Sequence, residues 1–284
     1  VAYVLALFSA AFYGAADFLG GLTARRASTT AAVVVAQGSG LVLLAIAVPF
    51  LPAASPTRHD LLWGGIAGIA GSVGVALLYA ALAIGTMAVV APITAVCAVA
   101  IPVLAGVLLG ERLATAAVVG IALALVAIVL VSQQPSSPLQ PAVARRRFFA
   151  PGIPQALCSG VAIGLFFLAL ARTQSTAGMW PLLVARGTSV VLFCAFAASG
   201  GTSLRMPARV LGLAVGCGAL DVIANALYLV ATRYGALSLV VTLASLYPAS
   251  TVLLARLALG ERLSRLQIAG IACALIAVVL IVSA

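Results

Sequence analysis

The sequence predicts an all-α membrane protein with ten transmembrane helices, arranged as two inverted five-helix repeats. Three observations predict it. The chain of 284 residues is 64% apolar and only 7% charged, where a soluble domain carries about 25% charged residues. One soluble core cannot hide that much apolar surface, so the surrounding solvent is lipid. Apolar runs of the length that crosses a bilayer, about 20 residues, recur along the chain, and the second set echoes the first at a spacing of 150 residues.

The spans read in order as 2–22, 31–52, 61–82, 86–109 and 115–132, then 152–171, 177–199, 210–231, 236–259 and 266–283. The first follows Val1 directly and continues for a full span without a clear cleavage site, so it reads as a helix rather than a signal peptide. Trp63 opens the third span and Trp180 the seventh, where interfacial aromatic anchors belong. The third carries Gly64, Gly65, Gly68, Gly71 and Gly74, and the eighth Gly212 and Gly216. Small residues one turn apart let helix backbones approach closely, so these two spans are expected at the centre. The boundary at 83–86 is the faintest. The fourth and ninth spans both end on Gly-Glu-Arg-Leu, at 110–113 and 260–263. Glycine weakens a helix end, and Glu111, Arg112, Glu261 and Arg262 sit where they can cap or pair, which is a structural role. Ser132-Gln133-Gln134-Pro135 through Arg145-Arg146-Arg147 is the one long polar stretch and reads as a linker. The chain therefore divides into a first repeat at 1–132, a linker at 133–150 and a second repeat at 151–284.

A shift of 150 residues aligns Gly85 with Gly235, both Gly-Glu-Arg-Leu ends, and Gly120-Ile121-Ala122 with Gly270-Ile271-Ala272. Over 85–131, 17 of 47 aligned positions are identical. Alanine and leucine inflate that figure, but two copies of Gly-Glu-Arg-Leu at the same helix end do not arise from composition. A weaker echo pairs Val35-Ala36-Gln37-Gly38 with Val184-Ala185-Arg186-Gly187. Five helices per repeat is an odd number, so the second copy enters the membrane from the opposite side. Inverted repeats of this kind build alternating-access transporters.

The paired Gly-Glu-Arg-Leu ends resemble the signature of the drug/metabolite transporter superfamily, in particular its ten-helix EamA-type family. Tyr228, Ala231-Thr232-Arg233-Tyr234-Gly235, Pro248 and Gln267-Ile268-Ala269-Gly270 read as that repeat usually does. The first half departs from the pattern: Ala98 stands where the repeat would match Pro248, and prolines occur at 92 and 102 instead. The resemblance covers nearly the whole chain. It implies a secondary carrier, many members being exporters of amino acids, other metabolites or drugs. It also implies cytoplasmic termini, and the family often places an arginine on helix 2 or 7.

Composition excludes several chemistries. All 15 basic residues are arginine. Without lysine there is neither a phosphate-loop lysine nor a Schiff base, so transport is not driven by the chain's own ATP hydrolysis. His59 is the one histidine, and the five cysteines lie inside apolar runs without ligand spacing. No metal site, no cofactor and no enzymatic triad is expected. The +10 charge comes from arginines scattered singly or in short clusters between spans, the pattern of membrane loops rather than of a nucleic-acid surface. The expected partners are the bilayer and a small-molecule substrate, with protons as a candidate coupling ion, and the expected assembly is a monomer or weak homodimer. Nine loop arginines on the linker side against four on the terminal side favour external termini by the positive-inside rule. The family resemblance points the other way, and the reading leans towards it.

An ionised side chain in mid-span costs roughly 2.5–3.5 kcal/mol, so it normally faces the bundle interior and has a partner. Asp221 lies halfway along the eighth span with Asn225 and Tyr228 on the same helical face. That stripe is either a cavity lining or a hydrogen-bonded clamp between helices. Arg186, in the middle of the seventh span, pairs with Asp221 or grips a substrate carboxylate, and the equivalent place on the second span holds Gln37. Asp17, with Tyr13 one turn earlier, is either a protonatable carboxylate in the pathway or a partner for a loop arginine. Tyr79 and Tyr247 are further candidate walls. The candidate substrate site is thus Tyr13, Gln37, Tyr79, Arg186, Asp221, Asn225, Tyr228 and Tyr247, with Asp221 and Asp17 as candidates for proton coupling. One arginine, one or two carboxylates and several tyrosines suit a zwitterion or small metabolite. Both glutamates lie at helix ends, which speaks for amino-acid-like export from the cell over drug efflux. A membrane enzyme and a non-transporting scaffold or channel subunit are the remaining alternatives.

Overall fold

The computed structural model describes residues 1–24, 26–84, 87–132, 152–201, 203–259 and 263–284, so the expected linker at 133–150 lies outside it. Among the described residues there are eleven α-helices: α1 (Ala2–Ala24), α2 (Thr29–Ala47), α3 (Arg58–Ile84), α4 (Met87–Leu108), α5 (Thr115–Val131), α6 (Ile153–Ala171), α7 (Trp180–Ser199), α8 (Ala208–Ala231), α9 (Leu237–Ala244), α10 (Tyr247–Leu259) and α11 (Arg265–Val282). Eight helical segments are long and apolar enough to cross a membrane, and Ile93–Leu108 and Thr115–Val131 are shorter apolar helices. The chain is a multi-pass membrane protein. Large apolar side chains such as Phe8, Ile46, Val191, Leu257 and Leu275 stand exposed on its outer faces, as a lipid solvent requires.

Local chemistry sets the helix ends. Ser28 caps α2 by accepting from the Ala31 amide at 3.2 Å. Ser264 and Gln267 form a reciprocal capping box on α11. At α3, the Asp60 carboxylate accepts from the Thr57 amide at 2.9 Å and the Thr57 hydroxyl accepts from the Asp60 amide at 3.3 Å. The ninth span, expected as one helix, is broken between α9 and α10. Pro248 has no amide to bond the carbonyl of Ala244, four residues back, and its ring crowds that carbonyl, so the helix stops and restarts.

The two sequence halves interleave. α1 packs on α8 as α6 packs on α3, α9 and α10 pack on α1 as α4 packs on α6, and α8 packs on α2 as α3 packs on α7. The remaining principal pairs, α2 with α7, α5 with α11 and α4 with α9, map onto themselves when the halves are exchanged. The correspondence extends to single bonds. The Ser9 hydroxyl donates to the Ala224 carbonyl at 2.8 Å, and 150 positions on, the Ser159 hydroxyl donates to the Gly74 carbonyl at 2.7 Å. A Cβ at Gly120 would press on Ile281 and Leu280, and one at Gly270 on Val131 and Leu130.

The first Gly-Glu-Arg-Leu segment ends α4 and starts α9. Gly110 adopts φ 93°, the amide of Glu111 donates to Gly106 O at 3.0 Å, and that of Gly110 to Val107 O at 3.0 Å. This is a Schellman termination, which needs a left-handed residue and therefore favours glycine. The turn projects the Glu111 carboxylate onto the start of α9, where it accepts from the amides of Leu237 at 2.6 Å and Ser238 at 3.1 Å. A carboxylate at that end satisfies two otherwise orphaned amides and complements the helix dipole. Replacing a capping side chain by alanine costs about 0.5–2 kcal/mol. Glu111→Ala is therefore expected to lower the melting temperature of the purified protein, and Glu111→Gln, which keeps one acceptor, to lower it less; equal melting curves for all three proteins would contradict the clasp.

Candidate functional site

A cavity of about 200 Å³ lies among the helices, lined by residues of α1, α2, α3, α4, α6, α7, α8 and α10 and by Ser245 at the break after α9. Most lining residues are mid-helix. Asp17, Leu78 and Thr94 carry it towards the ends of α1 and α3 and the start of α4. Ile163, Phe166 and Phe167 supply apolar lining from α6, and Gln37, Arg186, Ser189, Asp221 and Asn225 supply polar lining from α2, α7 and α8.

Arg186 is the hub of the polar wall. It is 6% exposed, and its Nη2 forms an ion pair with Asp221 Oδ2 while its Nη1 donates to Gln37 Oε1. The fork thus joins α7 to α8 and α2. Close backbone approach makes this possible: Gly40 lies against the Gly218 carbonyl, and Gly68 against Ala185. From Asp221 the network runs on through Asn225, whose Nδ2 donates to the Asp221 carbonyl at 2.7 Å. The Tyr13 hydroxyl donates to Asn225 Oδ1 at 2.8 Å. Tyr13 also meets Tyr247 and Phe167, with ring centroids 6.1 Å and 6.2 Å away.

Asp17 lines the same cavity and has no hydrogen-bond or ion-pair partner among the described residues. Its exposed surface includes part of the cavity wall. The lipid face of α1 is marked by exposed Val4 and Phe8, and Asp17, nine residues past Phe8, lies about half a turn round the helix from it.

The structure brings Tyr13, Asp17, Gln37, Arg186, Asp221, Asn225 and Tyr247 to one cavity. The side chain of Tyr79 lies outside the described residues. Tyr228 stands behind the wall rather than in it: fully buried, it donates to the Phe167 carbonyl at 3.1 Å and packs on that ring at 4.7 Å. Of the two roles its position allowed, it takes the interhelical clamp. Sequence reasoning missed Phe166 and Phe167, since nothing separates them from lipid-facing aromatics in an apolar run. It also missed Ser189, which is bonded to Ser72 at 3.0 Å.

At the opposite end, polar ties close the bundle. An Arg233 Nη donates to the Gly178 carbonyl at 2.5 Å. Burial pushes the Arg233 guanidinium below its usual pKa, while Tyr234 and Asp60 act the other way. Asp60 Oδ1 accepts from the Gln174 amide at 2.8 Å. With the Glu111 clasp and the Tyr228 clamp, these bonds seal the side on which α8 ends and α9 begins.

The sequence matches the EamA-like transporter family over residues 1–133 and 150–283. The chain belongs to the EamA-like transporter family. No curated protein matches it. Among the solved structures that match, one crystal structure has a TM-score of 0.72 at 17% identity, covering 98% of this chain and 95% of its own, and at that identity the likeness is one of fold. The two matched segments of the EamA family correspond to the two interleaved halves, and the cavity takes its polar residues from both.

Removing one partner of a buried ion pair leaves the other charge uncompensated, which costs more than removing both. Arg186→Met and Asp221→Asn should each lower thermal stability in detergent. The double variant should lose less than the sum of the two, with a coupling of about 0.5–3 kcal/mol; strict additivity would show that the pair contributes nothing.

Proposed function

We propose that this EamA-family protein is a ten-pass secondary active transporter of the plasma membrane that exports small metabolites such as amino acids, by alternating access around the mid-membrane cavity. The observation that carries the proposal is the placement of Gln37 and Arg186, at equivalent positions of the two halves, on one shared cavity wall. Five passes per half is an odd number, so the halves are read as inverted in the membrane. The exchange of helix pairings and of the Ser9 and Ser159 hydrogen bonds supports that reading.

The packing also bears on which parts move. Helices of each half contact the other half more than their own. The moving bodies are therefore two mixed bundles, α1 with α8, α9 and α10 against α3 with α4 and α6, rather than the sequence halves. In the conformation described, the Glu111, Tyr228 and Arg233 bonds hold the bundles together at one end. Opening that end requires releasing them while the opposite end closes.

Asp221 and Asp17 are the proton-coupling candidates. Protonation of Asp221 removes the counter-charge of Arg186, which gives a proton direct leverage on the contact between α7 and α8. Counterflow into proteoliposomes from a panel of amino acids, nucleosides, sugars and cationic drugs tests the reading. Saturable counterflow supports a carrier, unsaturable conductance a pore, and no flux a scaffold. Asp221→Asn is expected to fold and insert but to lose transport or its response to a pH gradient; an unchanged response across a pH series would remove Asp221 from the coupling mechanism.

A further inference from the structure

We propose that the cavity recognises its substrate through an ammonium group, with Asp17 as the counter-ion and the rings of Tyr13 and Tyr247 beside it, and that Arg186 does not serve as a grip for a substrate carboxylate. The inference rests on the transporter reading and narrows it to amine-bearing metabolites.

Among the described residues, the charges at the site are Arg186, Asp221 and Asp17. Arg186 offers its two terminal nitrogens to Asp221 and Gln37, and its 6% exposure leaves little of the fork open to a ligand. An arriving carboxylate would have to displace Asp221 and strand that charge within the bundle, a substitution with no net gain in pairing. With Arg186 and Asp221 neutralising each other, Asp17 is the carboxylate of the cavity left without a counter-ion among the described residues. Its carboxylate lines the cavity and is unpaired among the described residues, so a cation gains a partner there without breaking an existing bond.

The surroundings suit an ammonium. Tyr13 lies one turn from Asp17 on the same face of α1, and its ring sits 6.1 Å from that of Tyr247. A cation within about 6 Å of an aromatic face is attracted by the ring, more strongly as water is excluded. The Tyr13 hydroxyl is held by Asn225, which fixes the ring before the ligand arrives. The wall of Ile163, Phe166 and Phe167 faces the rest of the ligand with apolar surface. A cavity of about 200 Å³ lies below the roughly 300–1,000 Å³ of ordinary ligand pockets, so the ligand is a small one.

Three probes of similar size separate the groups: leucinamide carries the ammonium alone, leucine both charges, and isocaproate the carboxylate alone. Thermal-shift titration of the purified full chain is expected to show stabilisation by leucinamide and leucine and none by isocaproate. Asp17→Asn should weaken leucinamide binding at least about tenfold, the loss of one charge-assisted contact, whereas Asp17→Glu should retain it. Stabilisation by isocaproate equal to that by leucinamide, an undiminished affinity in Asp17→Asn, or no response to any probe would each overturn the inference. Failure of the transporter reading looks different. A carrier that exchanges only anions from the wider panel sinks the ammonium site and leaves transport standing, while absence of saturable flux for every compound sinks transport itself.

Discussion

An arginine in the middle of a bundle surrounded by lipid is costly unless it is paired where it stands. Arg186 meets that requirement through Asp221 on α8 and Gln37 on α2, and this constraint fixes much of the architecture around it. Three helices from both halves must converge on one guanidinium. The glycines that let α2 approach α8 and α3 approach α7, Gly40, Gly218 and Gly68, bring those backbones together. The carboxylate left over, Asp17, then defines the electrostatic character of the cavity.

The two ends of the bundle are treated differently. Around the start of α9, Glu111 is drawn from one half to the other, where it takes up two amides. Tyr228 and Arg233 add bonds to backbone carbonyls of the other mixed bundle and of the loop beside it. Each tie is a hydrogen bond to backbone, which holds one arrangement firmly yet is exchanged for water at modest net cost when the helices part. The break at Pro248 divides the ninth span beside the cavity. Broken helices near a central site are common in transporters, where irregular backbone is tolerated because it lines a cavity.

Most of the fold was legible in the sequence, and the reasons differ from element to element. Span positions follow from hydropathy because lipid imposes one rule on every residue. The repeat was visible at Gly-Glu-Arg-Leu, where composition cannot imitate it, and hidden at Ser9 and Ser159, where a serine in an apolar helix carries little information. Asp221 and Arg186 stood out because charge in mid-span is costly. Tyr228 shares the helical face of Asp221, but periodicity says which way a residue points and not what lies there: the face passes from the cavity at Asn225 to the Phe167 carbonyl at Tyr228. The partner of Glu111 lies 126 residues away, beyond what spacing along the chain reveals. The tie between Arg233 and Gly178 is non-local in the same way.

The central claim is that one cavity between two mixed bundles is exposed alternately to the two faces of the membrane. Val75 lines the cavity from α3 and takes no part in its polar network, so a single cysteine there, in a protein stripped of its five native cysteines, reports access without disturbing the chemistry. Labelling with a membrane-impermeant maleimide, applied separately to each face of oriented vesicles, tests the claim most directly. The account predicts labelling from both faces. Labelling from one face only, under every substrate and pH condition tried, would contradict it.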